Sequence, residues 1–154
     1  MLLTSRRSAI SVAAVATKDT LTRVDDTIAV HSSRGPSWYD AFAKPDIAAP
    51  GHLLKGAAAK NGTLYKKYLK LRRGNKYIAL CGTSMAAGVV SGAAALVIEA
   101  HRNANPNAPP LTPNAIKAIL MYTASPLVDS AGVPIEGLAQ GVGSLNPIGA
   151  MQLA

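Results

Sequence analysis

The chain has 154 residues, of which 49% are hydrophobic and 16% charged, and its formal net charge is +8. This length suits one domain with its own core, and this composition excludes a disordered chain. The single cysteine, Cys81, excludes an internal disulfide and a cysteine-rich metal site. Aromatic residues make up 5%, too few for a platform on which nucleic-acid bases stack.

The first apolar segment, residues 9–15, predicts a short buried strand. Arg6 and Arg7 precede it, and residues 14–16 are small, so the same segment also fits the end of a secretory leader. The strand is favoured because the apolar part is short and diluted by alanine and serine. The chain therefore contains no convincing signal peptide.

Two further short strands are expected before the middle of the chain. Residues 19–26 are polar and turn-like, and residues 27–32 form the second candidate strand. Residues 33–37 are predicted to be a loop because they contain a Gly-Pro pair. The third strand covers residues 47–49 and is closed by Pro50 and Gly51.

The charge excess comes from one segment, Lys55 to Lys76, which holds 8 of the 16 basic residues and no acidic residue. A solvated loop is the favoured interpretation, and attraction of an acidic substrate, pro-segment or surface is the alternative. Within the segment, Asn61 and Gly62 predict a hairpin turn. Strands are predicted over residues 65–71 and 77–80.

Helices dominate the second half of the chain. Residues 85–100 are the most apolar stretch, but Gly88, Ser91 and Gly92 interrupt it, so we expect a buried core helix ending near residue 101 and no membrane span. Thr-Pro at 112–113 and Asn-Pro at 146–147 predict the starts of two more helices. Short strands alternating with such helices indicate an α/β layered fold.

Ser84 is the candidate catalytic residue. It follows a Gly-Thr turn and opens the long helix, whose first N–H groups and dipole would stabilise an oxyanion formed there. An ordinary helix N-cap serine is the alternative interpretation of the same spacing.

Several blocks of sequence resemble one known family, the subtilisin-like serine peptidases, or subtilases. Residues 82–86 (Gly-Thr-Ser-Met-Ala) and 90–96 are similar to its nucleophile segment. The resemblance also includes the preceding and following blocks at residues 32–36, 44–51, 111–120 and 141–146. Their order matches that of the family and covers nearly the whole chain.

The resemblance implies a three-layer α/β parallel-sheet fold, incomplete here because only the rear half is present, with residues 1–154 forming the C-terminal part of the catalytic domain. It implies a serine endopeptidase that forms an acyl-enzyme on Ser84. The family's catalytic Asp, His and oxyanion-hole Asn lie upstream of the matched region. We therefore expect the isolated chain to be inactive and poorly folded, and to need the missing N-terminal half as a partner besides its polypeptide substrate.

No residue of this sequence replaces the missing groups. His31, His52 and His101 lack the Gly-Thr that follows the family's histidine, and His101 lies about 25 Å along the helix from Ser84. Asp46 belongs to a block that is structural in the family. Cys81 is expected to be a small buried filler.

Gly88 stands where the family usually has proline, which loosens the start of the helix at a cost of about 1 kcal/mol or less. No cofactor or metal site is predicted. The resemblance also implies a secreted protein. Two alternatives remain open: a non-catalytic binding module with the same fold and, less favoured, a basic nucleic-acid-binding module.

Overall fold

Two parallel strands form the centre of the fold in a computed structural model, which describes residues 8–154. Strand β1 (Val12–Ala16) pairs with β3 (Ile47–Pro50), and the short β2 (Thr27–Ile28) pairs antiparallel with the other edge of β1. Beyond β3, Ala48 forms a parallel bridge to Ser144. Arg6 and Arg7, considered above as part of a leader, lie outside the described residues.

Successive side chains of these strands point to opposite faces of the sheet, so the strands contribute to one buried cluster on each face. Ala14, Ile47 and Ala49 belong to one buried cluster, whereas Val15 and Ala48 pack in a second cluster with Leu127, which comes from the chain after the third helix. Small residues at the strand centres allow elements to pack closely on both sides.

The first face is covered by three helices. Helix α2 (Thr83–Ala104) places its buried residues at helical spacing against β1 and β3, and α3 (Pro113–Tyr122) and α5 (Pro147–Leu153) pack on α2. Both predicted caps are confirmed: Thr112 Oγ1 accepts from Ala115 N at 3.2 Å and Asn146 Oδ1 accepts from Gly149 N at 3.1 Å.

The second face carries the chain between α3 and α5, including the short α4 (Gly137–Gln140), which was not predicted. Gln140 is buried, accepts from Leu127 N at 2.7 Å and donates to Ile135 O at 2.5 Å. These bonds satisfy a buried amide and hold the loop against the sheet.

The charged segment forms a separate antiparallel sheet with the order β4 (Leu54–Ala57), β6 (Tyr77–Leu80), β5 (Arg72–Arg73). The strand predicted over residues 77–80 is confirmed. The strand predicted over residues 65–71 is wrong, because helix α1 (Thr63–Lys67) and a 3₁₀ turn (Leu69–Leu71) occupy it.

The error has a local cause. Gly62 is the N-cap of α1 and is not part of a hairpin turn, and the chain then folds back on itself. Arg72 lies 4.2 Å from the centre of the Tyr65 ring and its Nε donates to the Tyr65 carbonyl at 2.7 Å. These contacts stabilise the folded-back conformation of residues 65–72 relative to an extended strand.

The second predicted strand is also shorter than expected. Only Thr27 and Ile28 pair, and the chain then turns, with Ser32 N donating to Ala29 O at 2.8 Å. Ser32 Oγ accepts from Ala14 N at 3.0 Å, so a side chain takes the place of a strand partner there.

Helix α2 contributes buried residues to the core, as expected from the sequence, but within residues 8–154 its outer face is exposed. The exposed residues of this outer face are mostly small: Ala87, Gly88, Ser91, Gly92, Ala95 and Leu96. By length and hydropathy alone α2 could cross a membrane, a test that core helices of soluble proteins also pass. Its inner face packs on the sheet.

Asp46 is the centre of a buried ionic network. Its carboxylate lies 2.7 Å from Lys44 Nζ and 2.9 Å from Lys117 Nζ, and accepts from both the N–H and the hydroxyl of Ser11. Burial raises the pKa of this carboxyl, but the hydrogen bonds from Lys44, Ser11 and Lys117 outweigh that effect and lower the pKa below its ordinary 3.8. The network joins β1, β3 and α3, which supports the structural role expected from sequence.

Asp46→Asn is expected to lower the free energy of unfolding by about 3 kcal/mol, because it removes the carboxylate that pairs with the buried Lys44 and the partly buried Lys117. Since the folded-state pKa is lowered, the wild-type stabilisation is complete above pH 3.8 and is lost as pH falls through the folded-state pKa. Urea unfolding of the protein across acidic pH measures both effects. The exposed Asp19→Asn is the control, and equal stability of the two variants would contradict the prediction.

Candidate active site

One backbone loop joins the two sheets to helix α2. Strand β6 ends at Leu80, and Gly82, the N-cap of α2, donates its N–H to the Gly51 carbonyl at the end of β3 at 2.8 Å. Gly82 has a φ of 153°, a region that favours glycine. The start of α2 is thereby fixed against the carboxyl end of a central strand.

Close packing reinforces this hydrogen bond. A Cβ added to Gly51 would lie 2.8 Å from Ala14 Cβ, 2.9 Å from Gly82 O and 3.1 Å from Ala86 Cβ. The approach of β3 to α2 therefore requires glycine at position 51, which explains why the Pro-Gly pair ends this strand.

Ser84 is exposed and is the second residue of α2. The N-cap interpretation is wrong, because Gly82 holds that position and no side chain caps the helix. Within the part of the chain that the structure describes, neither the hydroxyl nor the N–H of Ser84 has a hydrogen-bond partner. An accessible hydroxyl thus stands beside an open backbone donor.

The donors at the start of α2 divide into two groups. Gly82 O accepts from Met85 N at 3.0 Å and from Ala86 N at 3.3 Å, which leaves the N–H groups of Thr83 and Ser84 open. Open donors at the positive end of a 22-residue helix favour a negatively charged oxygen. This geometry supports the chemical role that the sequence predicts for Ser84.

Cys81 is exposed, so the expectation of a buried filler is wrong. The chain has already left β6 at this point and turns outward toward Gly82. Its Sγ accepts from Leu53 N at 3.2 Å, which ties the start of the charged segment to its end.

The three histidines contact other groups of the described structure. His31 and His52 are exposed and stack with ring centroids 5.9 Å apart, and His101 lies with its ring nitrogens 2.9 Å from Ala154 O and 3.1 Å from Pro109 O. Among residues 8–154, none is hydrogen-bonded to Ser84. His52 nevertheless directly follows Gly51, so the stacked pair lies near the same loop, a proximity that the separation of residues 31 and 52 in sequence did not reveal.

We also searched the described residues for a metal site and for a groove that could hold a ligand. No group of three or more His, Cys, Asp or Glu within residues 8–154 is placed to bind a metal ion. A groove of about 390 Å³ is lined by Arg23, Ser125, Ser144 and their neighbours and does not include Ser84. Arg23 Nη1 donates to Ser144 Oγ at 3.1 Å within this groove.

Comparison of the sequence with known proteins identifies a related family and individual relatives. A family model described as the subtilase family, Peptidase S8, matches residues 4–143. The chain is 37% identical over 111 residues to the serine protease AprX of Bacillus subtilis, covering 72% of this chain and 23% of that protein. It is 41% identical over 115 residues to the subtilisin-like protease SBT2.6 of Arabidopsis thaliana, covering 71% of this chain and 13% of that protein.

Solved structures agree in fold. The chain aligns with the prenylagaramide maturation protease PagA with a TM-score of 0.67 at 24% identity, over 98% of this chain and 44% of that one. It aligns with the CspB protease of Clostridium perfringens with a TM-score of 0.66 at 26% identity, over 94% of this chain and 26% of that one. The fold is subtilisin-like, and the chain spans less than half the length of each of these four proteins.

Gly51→Ala is expected to move the loop that carries Ser84. In the full gene product that carries the chain, the added methyl group would destabilise the fold by about 2 kcal/mol and reduce the rate of fluorophosphonate labelling at Ser84 about 100-fold through misplacement. The matched control is Gly56→Ala in β4, where an added Cβ meets nothing within 4 Å among the described residues. Labelling of Gly51→Ala at the wild-type rate would contradict this role for the close contact.

Proposed function

The chain belongs to the subtilase family of serine peptidases, and on that premise we propose that it supplies the nucleophile, Ser84, of an endopeptidase. The observation that carries the proposal is the exposed Ser84 hydroxyl beside its own unpartnered N–H at the start of α2. A helix N-cap serine would have its side chain engaged, and Ser84 does not.

In the proposed reaction, Ser84 Oγ attacks the carbonyl carbon of a peptide bond and forms a new C–O bond. The hydroxyl proton passes to a base and then to the leaving amine as the C–N bond breaks, which leaves an acyl-enzyme on Ser84. The Ser84 N–H and the positive end of the α2 dipole stabilise the oxyanion. Water then hydrolyses the ester.

The base of this reaction has to come from outside residues 8–154, where no imidazole is bonded to Ser84. We propose that a further segment of the same catalytic domain covers the outer face of α2 and carries the catalytic His and Asp. Small residues such as Gly88, Ser91 and Gly92 on that face permit close packing. The chain's coverage of less than a quarter of AprX and SBT2.6 is consistent with this arrangement.

Without that segment the proposed activity falls to a very low level. In subtilisin itself, removal of the serine or the histidine alone lowers turnover about a million-fold. Ser84 in residues 1–154 alone is therefore expected to behave as an ordinary alcohol. An extracellular location also belongs to this proposal and is supported by the family resemblance.

The test is labelling by a fluorophosphonate, followed by peptide mapping. We expect adduct formation at Ser84 in the full gene product that carries the chain and none in residues 1–154 expressed alone. Ser84→Ala abolishes labelling, whereas the control Ser91→Ala, on the same helix with its Oγ bonded to Ala87 O at 2.9 Å, retains it.

Two results would contradict the proposal. Rapid labelling of Ser84 in residues 1–154 alone would show that the base lies within this chain. Absence of labelling in a folded full gene product would instead favour the non-catalytic module.

A further inference from the structure

The charged segment forms an arm that leaves and returns at the nucleophile loop. We call residues 54–80 the basic arm, and we propose that it binds an acidic segment of the polypeptide substrate beside Ser84. This inference rests on the proposed endopeptidase function and adds a class of substrate to it.

The position of the arm is fixed at its base by two contacts. Gly82 N donates to Gly51 O at 2.8 Å, and Leu53 N donates to Cys81 Sγ at 3.2 Å. From there β4 and β6 pair from Leu54 opposite Leu80 to Ala57 opposite Tyr77. Four paired residues extend about 13 Å, so a peptide held along the arm passes close to Ser84.

The arm carries positive charge without compensation. It contains eight basic residues and no acidic residue, and no acidic residue occurs between Asp46 and Glu99. The two ion pairs formed among residues 8–154 both involve Asp46, so the arm's cations take part in neither. All six lysines of the arm are exposed: Lys55, Lys60, Lys66, Lys67, Lys70 and Lys76.

Both arginines of the arm make internal hydrogen bonds, so the lysines supply most of the cations that a ligand can reach. Arg72 Nε donates to Tyr65 O at 2.7 Å, and Arg73 Nη1 donates to Lys70 O and Arg72 O at 3.0 Å each. The remaining cations are lysines, which attract carboxylates as point charges.

The aromatic residues of the arm differ in how open their rings are, and Tyr77 in β6 is exposed. The Tyr65 ring is covered by Arg72 at 4.2 Å, and Lys67 Nζ lies 5.6 Å from the Tyr68 ring centre. Bases that bind single-stranded nucleic-acid sites stack on open aromatic faces. An acidic polypeptide is the partner that we infer, because the lysine-rich arm begins and ends at the loop that carries the proposed peptidase nucleophile, Ser84.

Screening determines which kinetic constant the arm affects. At physiological salt the Debye length is about 8 Å, so the lysines act on charges lying along the arm and only weakly on the reacting atoms. The arm is therefore expected to change KM and to leave kcat unchanged.

The kinetic test uses the full gene product and two peptides that share a cleavage site and differ in a tract of glutamate or glutamine. We expect the triple variant Lys66→Gln, Lys67→Gln, Lys70→Gln to lower kcat/KM on the acidic peptide about 10-fold through KM, without affecting the neutral peptide. The control triple Lys18→Gln, Arg34→Gln, Arg102→Gln removes equal charge from exposed positions elsewhere and is expected to change neither. Equal effects of the two triple variants would overturn the proposal.

A binding test separates this inference from the proposed function. The Ser84→Ala protein is titrated with a fluorescein-labelled polyglutamate peptide and with a single-stranded oligonucleotide of equal charge, using anisotropy. We expect the peptide to bind more tightly, with an affinity that the arm variant and added salt both reduce. No peptide binding, or tighter oligonucleotide binding, would overturn the docking proposal. Peptide binding by Ser84→Ala, together with no cleavage of either peptide by the folded wild-type full gene product, would support docking and contradict the endopeptidase.

Discussion

The hydrogen bond from Gly82 N to Gly51 O is the contact on which the arrangement of this chain depends. It joins the end of a central strand to the start of α2, and the absence of a Cβ at Gly51 makes the contact possible. Ser84 takes its position from this contact because it lies two residues further along. The basic arm is anchored by the same bond, so the nucleophile and the charged surface share one structural base.

Sequence patterns located the elements whose stability is local or set by burial. Small apolar residues indicated β1 and β3, and the Thr-Pro and Asn-Pro pairs indicated the starts of α3 and α5. The arm was predicted less well, because Arg72 folds back on Tyr65 through a contact that no residue periodicity reveals. Cys81 was wrongly predicted to be buried for a similar reason, because its exposure depends on where the chain leaves β6.

In the candidate site, too, the sequence predicted the local features and missed those that depend on tertiary contacts. Motif spacing was sufficient to place Ser84 at the start of a helix, and its catalytic role stays a prediction. It could not show that Gly82 is the N-cap, nor that the Ser84 N–H remains open, because both depend on how the chain turns at the end of β3. Asp46, by contrast, was recognised from its sequence block as structural, and its pairing with Lys44 and Lys117 agrees with that role.

The central claim is that Ser84 Oγ is the atom that attacks the peptide carbonyl. Its most direct test is to quench the full gene product with acid during turnover of an activated ester and to locate the covalently bound acyl group by peptide mapping. The account predicts one acyl group, on Ser84, that disappears when the ester is omitted. An acyl group on Cys81 or on any other residue, with Ser84 unmodified, would contradict it.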